Sequence, residues 1–204
     1  MLAPIHWLGH ASVEITGEKV IYIDPWQLKG GEPADLILIT HSHSDHCSPE
    51  DVAKIQKSGT VIVATPDCKS RLSGDVRAAA PGDHLDVDGI SIEAVPAYNI
   101  GKSFHPKAKG WVGYIVTVNG TRIYHAGDTD RIPEMDGVNA DVALLPVGGT
   151  YTMNAQEAAE ATIAIGPKAA VPIHYARIVG SEDDAKRFQK LCKGKVEVVI
   201  LKAE

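Results

Sequence analysis

The sequence predicts an α/β fold in which stacked sheets carry helices on their outer faces. Three observations lead there. The first third consists of short runs of β-branched residues punctuated by Gly and Pro, the pattern of strands joined by tight turns. The last third alternates helical and strand patterns and ends in two helix–strand units. Between them, Thr40-His41-Ser42-His43-Ser44-Asp45-His46 follows directly on the apolar run Leu36-Ile37-Leu38-Ile39, as expected of a strand end that presents ligands from a rigid frame. Helices must cover sheet surfaces, so a layered arrangement follows.

In chain order, residues 5–8 and 12–15 read as strands flanking Gly9-His10. Gly17-Glu18-Lys19 turns into a strand at 20–23, which Asp24-Pro25-Trp26 ends. After a loop at 27–34, the strand 35–39 delivers the histidines at its C-terminal end. Ser48-Pro49-Glu50-Asp51 then starts a helix: Ser48 caps it, Pro49 fits the first helical position, and the acids suit the positive end of its dipole. Gly59 is expected to stop that helix. A strand at 61–64, a short helix at 66–72 and a turn at 78–83 come next.

Strands at 85–87 and 90–95 lead into a polar loop, 97–110, which holds Asn99, Lys102, His105, Lys107 and Lys109. Residues 111–118 and 122–125 form a hairpin across Asn119-Gly120, a favoured two-residue turn. A buried strand is expected at 142–145. The helix 155–165 opens at Asn154, with Glu157 as its capping partner, and closes at Gly166-Pro167. Strand 169–173 ends in His174. Ser181 caps a last helix whose Ala185, Phe188, Leu191 and Cys192 share a face, and a strand at 196–201 closes the chain. No linker, low-complexity tract or repeat divides it, so residues 1–204 read as one domain.

Composition narrows the function. Of 204 residues 44% are hydrophobic, enough for a substantial core. A net charge of −6 with no long basic run argues against a nucleic-acid surface. The first residues lack the basic and apolar regions of a signal peptide, and no apolar run is long enough to span a bilayer, so no membrane partner is expected. Cys47, Cys68 and Cys192 form neither a C-x-x-C pair nor an even disulfide framework, and a cytoplasmic location is the expectation. The histidine string itself points to metal, because neutral imidazole and carboxylate are the ligands that zinc and similar divalent ions prefer. A catalytic site with two ions takes about six protein ligands, of which this string supplies four.

Several motifs together resemble the metallo-β-lactamase superfamily, and within it the small metal-dependent hydrolases related to ascorbate-phosphate lactonases. They are Trp7-Leu8-Gly9-His10, Ile23-Asp24-Pro25-Trp26, Thr40 to His46, Tyr124-His125-Ala126-Gly127-Asp128-Thr129, Leu145-Pro146-Val147-Gly148-Gly149 and Pro172-Ile173-His174-Tyr175. The resemblance implies a four-layer αββα sandwich with a metal site at one edge of its two sheets. It assigns His41 and His43 to a first metal, and Asp45 with His46 to a second. It also asks for an acid between the metals, which Asp128 fits, and for a late histidine on the second metal, which His174 fits.

The third histidine of the first metal is where this sequence departs. Relatives often carry it in a loop reading Ala-Trp-His, which aligns with Ala97-Tyr98-Asn99. Asn99 is a poor ligand beside an imidazole, and His105 in the same loop is the favoured replacement. Asp24 and His125 stand between two roles, an outer partner that fixes a ligand imidazole and a hydrogen-bonding group inside the sheet. His10 is a candidate pocket wall.

The expected cofactor is zinc, as two ions, with manganese or iron as alternatives set by supply. A divalent ion lowers the pKa of bound water from about 15.7 to roughly 7. The metal-bound hydroxide is expected to attack a small ester, lactone or phosphodiester, oriented by Asp45 and Asp128 as catalytic residues. No Gly-x-Ser-x-Gly elbow offers a serine nucleophile. Tyr175 and His125 are the candidates for the leaving group's proton donor. Lys102, Lys107 and Lys109 offer charge to an anionic small-molecule substrate, with a solvated loop as the alternative. Three other readings compete. Asn99 alone favours a catalytically silent metal-binding sensor or partner module. A nuclease would need a gripping arm or an inserted domain, for which 204 residues leave little room. Di-iron redox chemistry would call for a more carboxylate-rich ligand set. Oligomeric state is not set by any of these features.

Overall fold

A computed structural model describes residues 4–204. The first sheet runs in the order β1 (Ile5–Gly9), β2 (Ser12–Ile15), β3 (Ile21–Ile23), β4 (Ala34–Ile39), β5 (Gln56–Ala64) and β6 (Asp75–Ala78). Its first three strands are antiparallel and the rest parallel. The second sheet contains β7 (His84–Val87), β8 (Ile90–Pro96), β9 (Val112–Val118), β10 (Thr121–His125), β11 (Val142–Pro146), β12 (Ala169–Ile173) and β13 (Glu197–Val198), neighbours in that order. It is antiparallel up to β10 and parallel beyond.

β4 shows why two layers stack. Leu36 and Leu38 enter a core shared with Ile92, Tyr114 and Val116 of the second sheet, while Ile37 and Ile39 turn outward onto Val52 and Ile55 of α1 (Pro49–Ile55). A strand covered on both faces reads as a continuous apolar run. On the far side, α2 (Ala155–Ile165) and α3 (Glu182–Cys192) pack against each other and against β11 and β12. Helix, sheet, sheet, helices: this is the αββα sandwich that the resemblance implies.

Local chemistry holds where the sequence is explicit. Asn154 Oδ1 accepts from the N–H groups of Gln156 and Glu157, and Glu157 Oε2 returns a bond to Asn154 N, so α2 begins and ends where its pattern predicts. Ser48 caps α1 with Pro49 in its first turn.

Four boundaries differ, and tertiary pairing explains them. α1 ends at Ile55 rather than near Gly59, because Gln56 pairs with Ala34 and Thr60 Oγ1 donates to Ala34 O, drawing this stretch into β5. Only a 3₁₀ turn, Lys69–Arg71, forms within the helix expected at 66–72. β6 escaped the sequence reading because it is an edge strand carrying Asp75 and Arg77, with little apolar alternation to signal it. The closing strand is two residues, not six. After Val199, whose N–H still donates to Ala170 O, the tail runs to β1, where Glu204 N donates to Trp7 O.

Candidate metal centre

The C-terminal ends of β4, β10 and β12 meet at one edge of the sandwich, and each delivers part of a His/Asp cluster. After β10 the chain must turn within van der Waals reach of β9 and Thr40. Gly127 does so at φ +63°, where an added Cβ would lie 2.9 Å from Val112 O, and this turn aims Asp128 inward. After β12, His174 adopts φ +56° with its N–H donated to His10 O at 2.7 Å. Gly148 makes room for it, since a Cβ there would sit 2.4 Å from His174 O.

Three networks orient the imidazoles. Thr40 Oγ1 donates to Asp24 Oδ2 at 2.7 Å, so it must accept from His41 Nδ1 at 2.9 Å, which leaves the lone pair on His41 Nε2. That Nε2 lies 3.0 Å from His43 Nδ1. His46 Nδ1 faces Asp24 Oδ2 at 2.7 Å and must carry the proton, freeing Nε2. His105 Nδ1 faces two acceptors, Asn99 Oδ1 at 3.0 Å and Tyr151 O at 3.2 Å, so its Nε2 is free as well. All three free atoms converge on one region, the lone-pair arrangement a cation requires.

Asp128 stands at the centre. Its Oδ2 lies 3.2 Å from His105 Nε2, 3.1 Å from His174 Nε2 and 4.0 Å from His41 Nε2, while Oδ1 lies 3.4 Å from His46 Nε2. Ligand atoms around a tetrahedral ion at about 2.1 Å are about 3.4 Å apart, so these separations suit a shared ion. Three sets of possible ligand atoms lie close together: His41, His43 and His105; Asp45, His46 and His174 with His10; and Asp128 with His41 and His46. His46 Nε2, His105 Nε2, His174 Nε2 and Asp128 Oδ1 are buried without a hydrogen-bond partner. Each such orphan costs about 1–3 kcal/mol, a cost that a cation facing these atoms removes. The donor set therefore fits divalent metal.

Electrostatics agree with geometry. Burial holds His41 well below the ordinary imidazole range and His43 below it, so both stay neutral, the form that ligates. Burial would push the Asp128 carboxyl up, but His174, His46 and His105 outweigh it and hold it well below the ordinary value. Asp45 follows the same balance: burial raises it, the His10 hydrogen bond and His46 lower it, and the result is about 2. His46 runs the other way. Burial lowers it, but Asp128 and Asp24 on its two sides raise it above the ordinary range, so a second proton on Nε2 competes with a metal for that lone pair.

Every residue of the ligand scheme thus comes together, and the structure brings His105 rather than Asn99 to the cluster. Asp24 takes the outer-partner role, one of the two open to it, and His10 takes one that the sequence does not signal. Asp24 accepts from Thr40 N, Thr40 Oγ1 and His46 Nδ1 and sits wholly behind the ligands. His10, read as pocket wall, is buried behind Asp45 with Nε2 2.9 Å from Oδ2. It stands in the Trp7-Leu8-Gly9-His10 turn, where it takes φ +53°.

Other candidates are turned away. His125 is buried between Ala11 O, at 2.8 Å, and the N–H of Gly127 at 3.2 Å. Tyr175 stacks on Trp7 at 4.7 Å between centroids. Neither lines the cavity over the cluster, which has about 190 Å³, a floor of His43, Asp45, His105, Asp128 and His174, and a rim of Phe104, Tyr151 and Ile178. A larger cavity of about 550 Å³ beside Trp7 and the C-terminal tail contains none of the clustered ligands. The lysines offered to an anionic substrate are engaged elsewhere. Lys102 Nζ lies 2.6 Å from Asp130 Oδ1, Lys107 Nζ lies 2.8 Å from Glu134 Oε1, and Lys109 sits over the Trp111 ring. Cys47, Cys68 and Cys192 are buried and free. Among the described residues, no helix is long and apolar enough to cross a membrane.

Comparison with known proteins gives a consistent picture. A family model described as a β-lactamase superfamily domain matches residues 4–174. A UPF0173 metal-dependent hydrolase of Thermococcus onnurineus is 37% identical over 98% of this chain and 97% of its own length. A structure of a candidate metal-dependent hydrolase from Parabacteroides distasonis superposes with a TM-score of 0.88 at 33% identity, covering 98% of this chain and 93% of that one. Igni18, a metallo hydrolase from Ignicoccus hospitalis, gives 0.79 at 25% identity, covering 98% and 94%.

Proposed function

The chain belongs to the metallo-β-lactamase superfamily and is a metal-dependent hydrolase of it, and on that premise we propose that it cleaves a small ester, lactone or phosphodiester at the His/Asp cluster. The single observation that carries this reading is the convergence of unpartnered ligand atoms around Asp128 under an open cavity. We assign His41, His43 and His105 to one ion, Asp45, His46 and His174 to the other, and Asp128 to both. Zinc suits a set of five imidazoles and two carboxylates, and manganese or iron can take the same ligands. When bound, such ions supply Lewis acidity and a water of lowered pKa.

The chain's own residues do the rest. Asp45 and Asp128 line the cavity floor and orient the attacking water, with Asp45 held in place by His10 Nε2 at 2.9 Å from its Oδ2. Asp24 holds the proton on His46 Nδ1, and Asn99 with Tyr151 O holds that on His105 Nδ1, so neither ring can turn. In ester cleavage water oxygen bonds to the carbonyl carbon, the ester C–O bond breaks, and the departing alkoxide takes up the proton that water gives up. An acid and an alcohol result. The whole chain acts as one domain, and its free, buried cysteines suit a cytoplasmic setting.

The test is reconstitution. Protein stripped by chelator and reloaded with zinc, manganese or iron should bind two equivalents per chain and recover turnover of an ester, lactone or phosphodiester. Metal bound without turnover of any of the three would instead favour the silent sensor.

A further inference from the structure

We propose that the cavity selects neutral esters or lactones that carry an apolar substituent, a reading that rests on the hydrolase assignment above. Two of the four large apolar side chains most exposed among the described residues, Phe104 at 43% and Ile178 at 50%, line this one cavity. Single exposed apolar residues need no explanation, but two converging on one concavity with an aromatic partner mark a binding surface. Phe104 meets Tyr151 edge to face at 4.7 Å between centroids.

This rim is held in place. Asn99 Nδ2 donates to Tyr151 O at 2.9 Å and to Asp130 Oδ1 at 3.0 Å. Lys102 Nζ ties the same loop to Thr152 O at 2.8 Å, and Asn99 N donates to His105 O at 2.7 Å. Phe104 and Tyr151 are therefore presented by two braced segments rather than by a free loop.

Charge supports the same choice. No Lys or Arg lines the cavity among the described residues. Lys102 and Lys107 are paired with Asp130 and Glu134, and Arg177 Nη1 donates to Gln27 Oε1 at 2.6 Å. An anionic substituent on the substrate would meet Phe104, Tyr151 and Ile178 and lose its hydration with nothing cationic from the protein in exchange. An alkyl chain there loses only its contact with water, which favours binding by about fourfold per methylene. With about 190 Å³ the cavity takes a short chain, below the roughly 300–1,000 Å³ of drug-sized pockets.

The experiment uses zinc-loaded protein and three chromogenic substrates: p-nitrophenyl acetate, p-nitrophenyl butyrate and methyl p-nitrophenyl phosphate. We expect kcat/KM for butyrate to exceed that for acetate by about fifteenfold, from two methylenes. Phe104→Ser and Ile178→Ser should each bring this ratio toward one with metal content unchanged. A wild-type ratio of one or less, or a ratio that neither substitution moves, overturns the inference while the hydrolase reading stands. Turnover of the phosphodiester alone does the same. Failure to turn over any of the three overturns this inference, and the hydrolase reading falls with it only if a lactone and manganese- or iron-loaded protein give no turnover either.

Discussion

His105 Nδ1 lies 3.0 Å from Asn99 Oδ1, so the two residues that compete in the sequence for one ligand position are partners in the fold. Asn99 also accepts from His105 N at 2.9 Å, gripping backbone and ring together. Outer partners of this kind change metal affinity by about 10–100-fold when removed. His105→Ala should lose close to one metal equivalent after dialysis, whereas Asn99→Ala should keep the ion but bind it about 10–100-fold more weakly. Metal content against a chelator series measures both. Full metal in His105→Ala with loss in Asn99→Ala reverses the assignment.

Asp45 and His174 are proposed ligands of the second ion. Asp45→Ala and His174→Ala should each lower bound metal and abolish turnover while the circular dichroism spectrum is retained. His10→Ala, which removes the hydrogen bond to Asp45 Oδ2 and the ring packed 4.0 Å from that of His174, should weaken metal binding without eliminating it. Unchanged metal in both ligand variants would sink the scheme.

Asp24→Asn tests the tautomer argument. Asparagine tolerates the φ of +49° at this position and keeps an acceptor for Thr40 N. Its amide N–H₂ would face His46 Nδ1 and Thr40 Oγ1, where only acceptors serve now. His46 should then carry its proton on Nε2, the atom aimed at the cluster. The variant should fold and bind metal at least about tenfold more weakly. Wild-type affinity in this variant would remove Asp24 from the site.

Asp51 predicts a pH effect on stability that is separate from the metal. Its carboxylate accepts from the N–H groups of Gln27 and Leu28, from Ser48 Oγ and from Lys54 Nζ, joining the loop after β3 to α1. Burial pushes this carboxyl up, but Lys54, Ser48 and the two N–H groups outweigh it and hold it below its ordinary value. A depressed carboxylate contributes its stability fully above the unfolded value of about 3.9 and loses it as pH falls through the lower folded value. Asp51→Ala should cost about 2–4 kcal/mol at pH 7, with Tm lower by roughly 5–15 °C. Its disadvantage should shrink toward pH 3. A pH-independent difference between the two proteins would refute the linkage.

By itself the sequence determined what short-range chemistry determines. Caps, turns and strand ends are local, so Asn154 with Glu157, Asn119-Gly120 and the run into His41 were readable in the letters, as was the metal-binding chemistry of the string His41 to His46, whereas Asp128 and His174 came forward only through resemblance to a family. Tertiary structure decided what depends on contacts between distant segments. α1 ends at Ile55 because β4 claims Gln56, and β6 forms because β5 offers it an edge. The orientation of Asn99 is set by Asp130 and Tyr151, more than thirty residues away from it in the chain, which turn its oxygen toward His105. His10 gains its role from Asp45 across the first sheet, and Lys102 and Lys107 lose theirs to Asp130 and Glu134. A residue type states which chemistry a side chain can perform, and only the fold states which neighbour it faces while performing it.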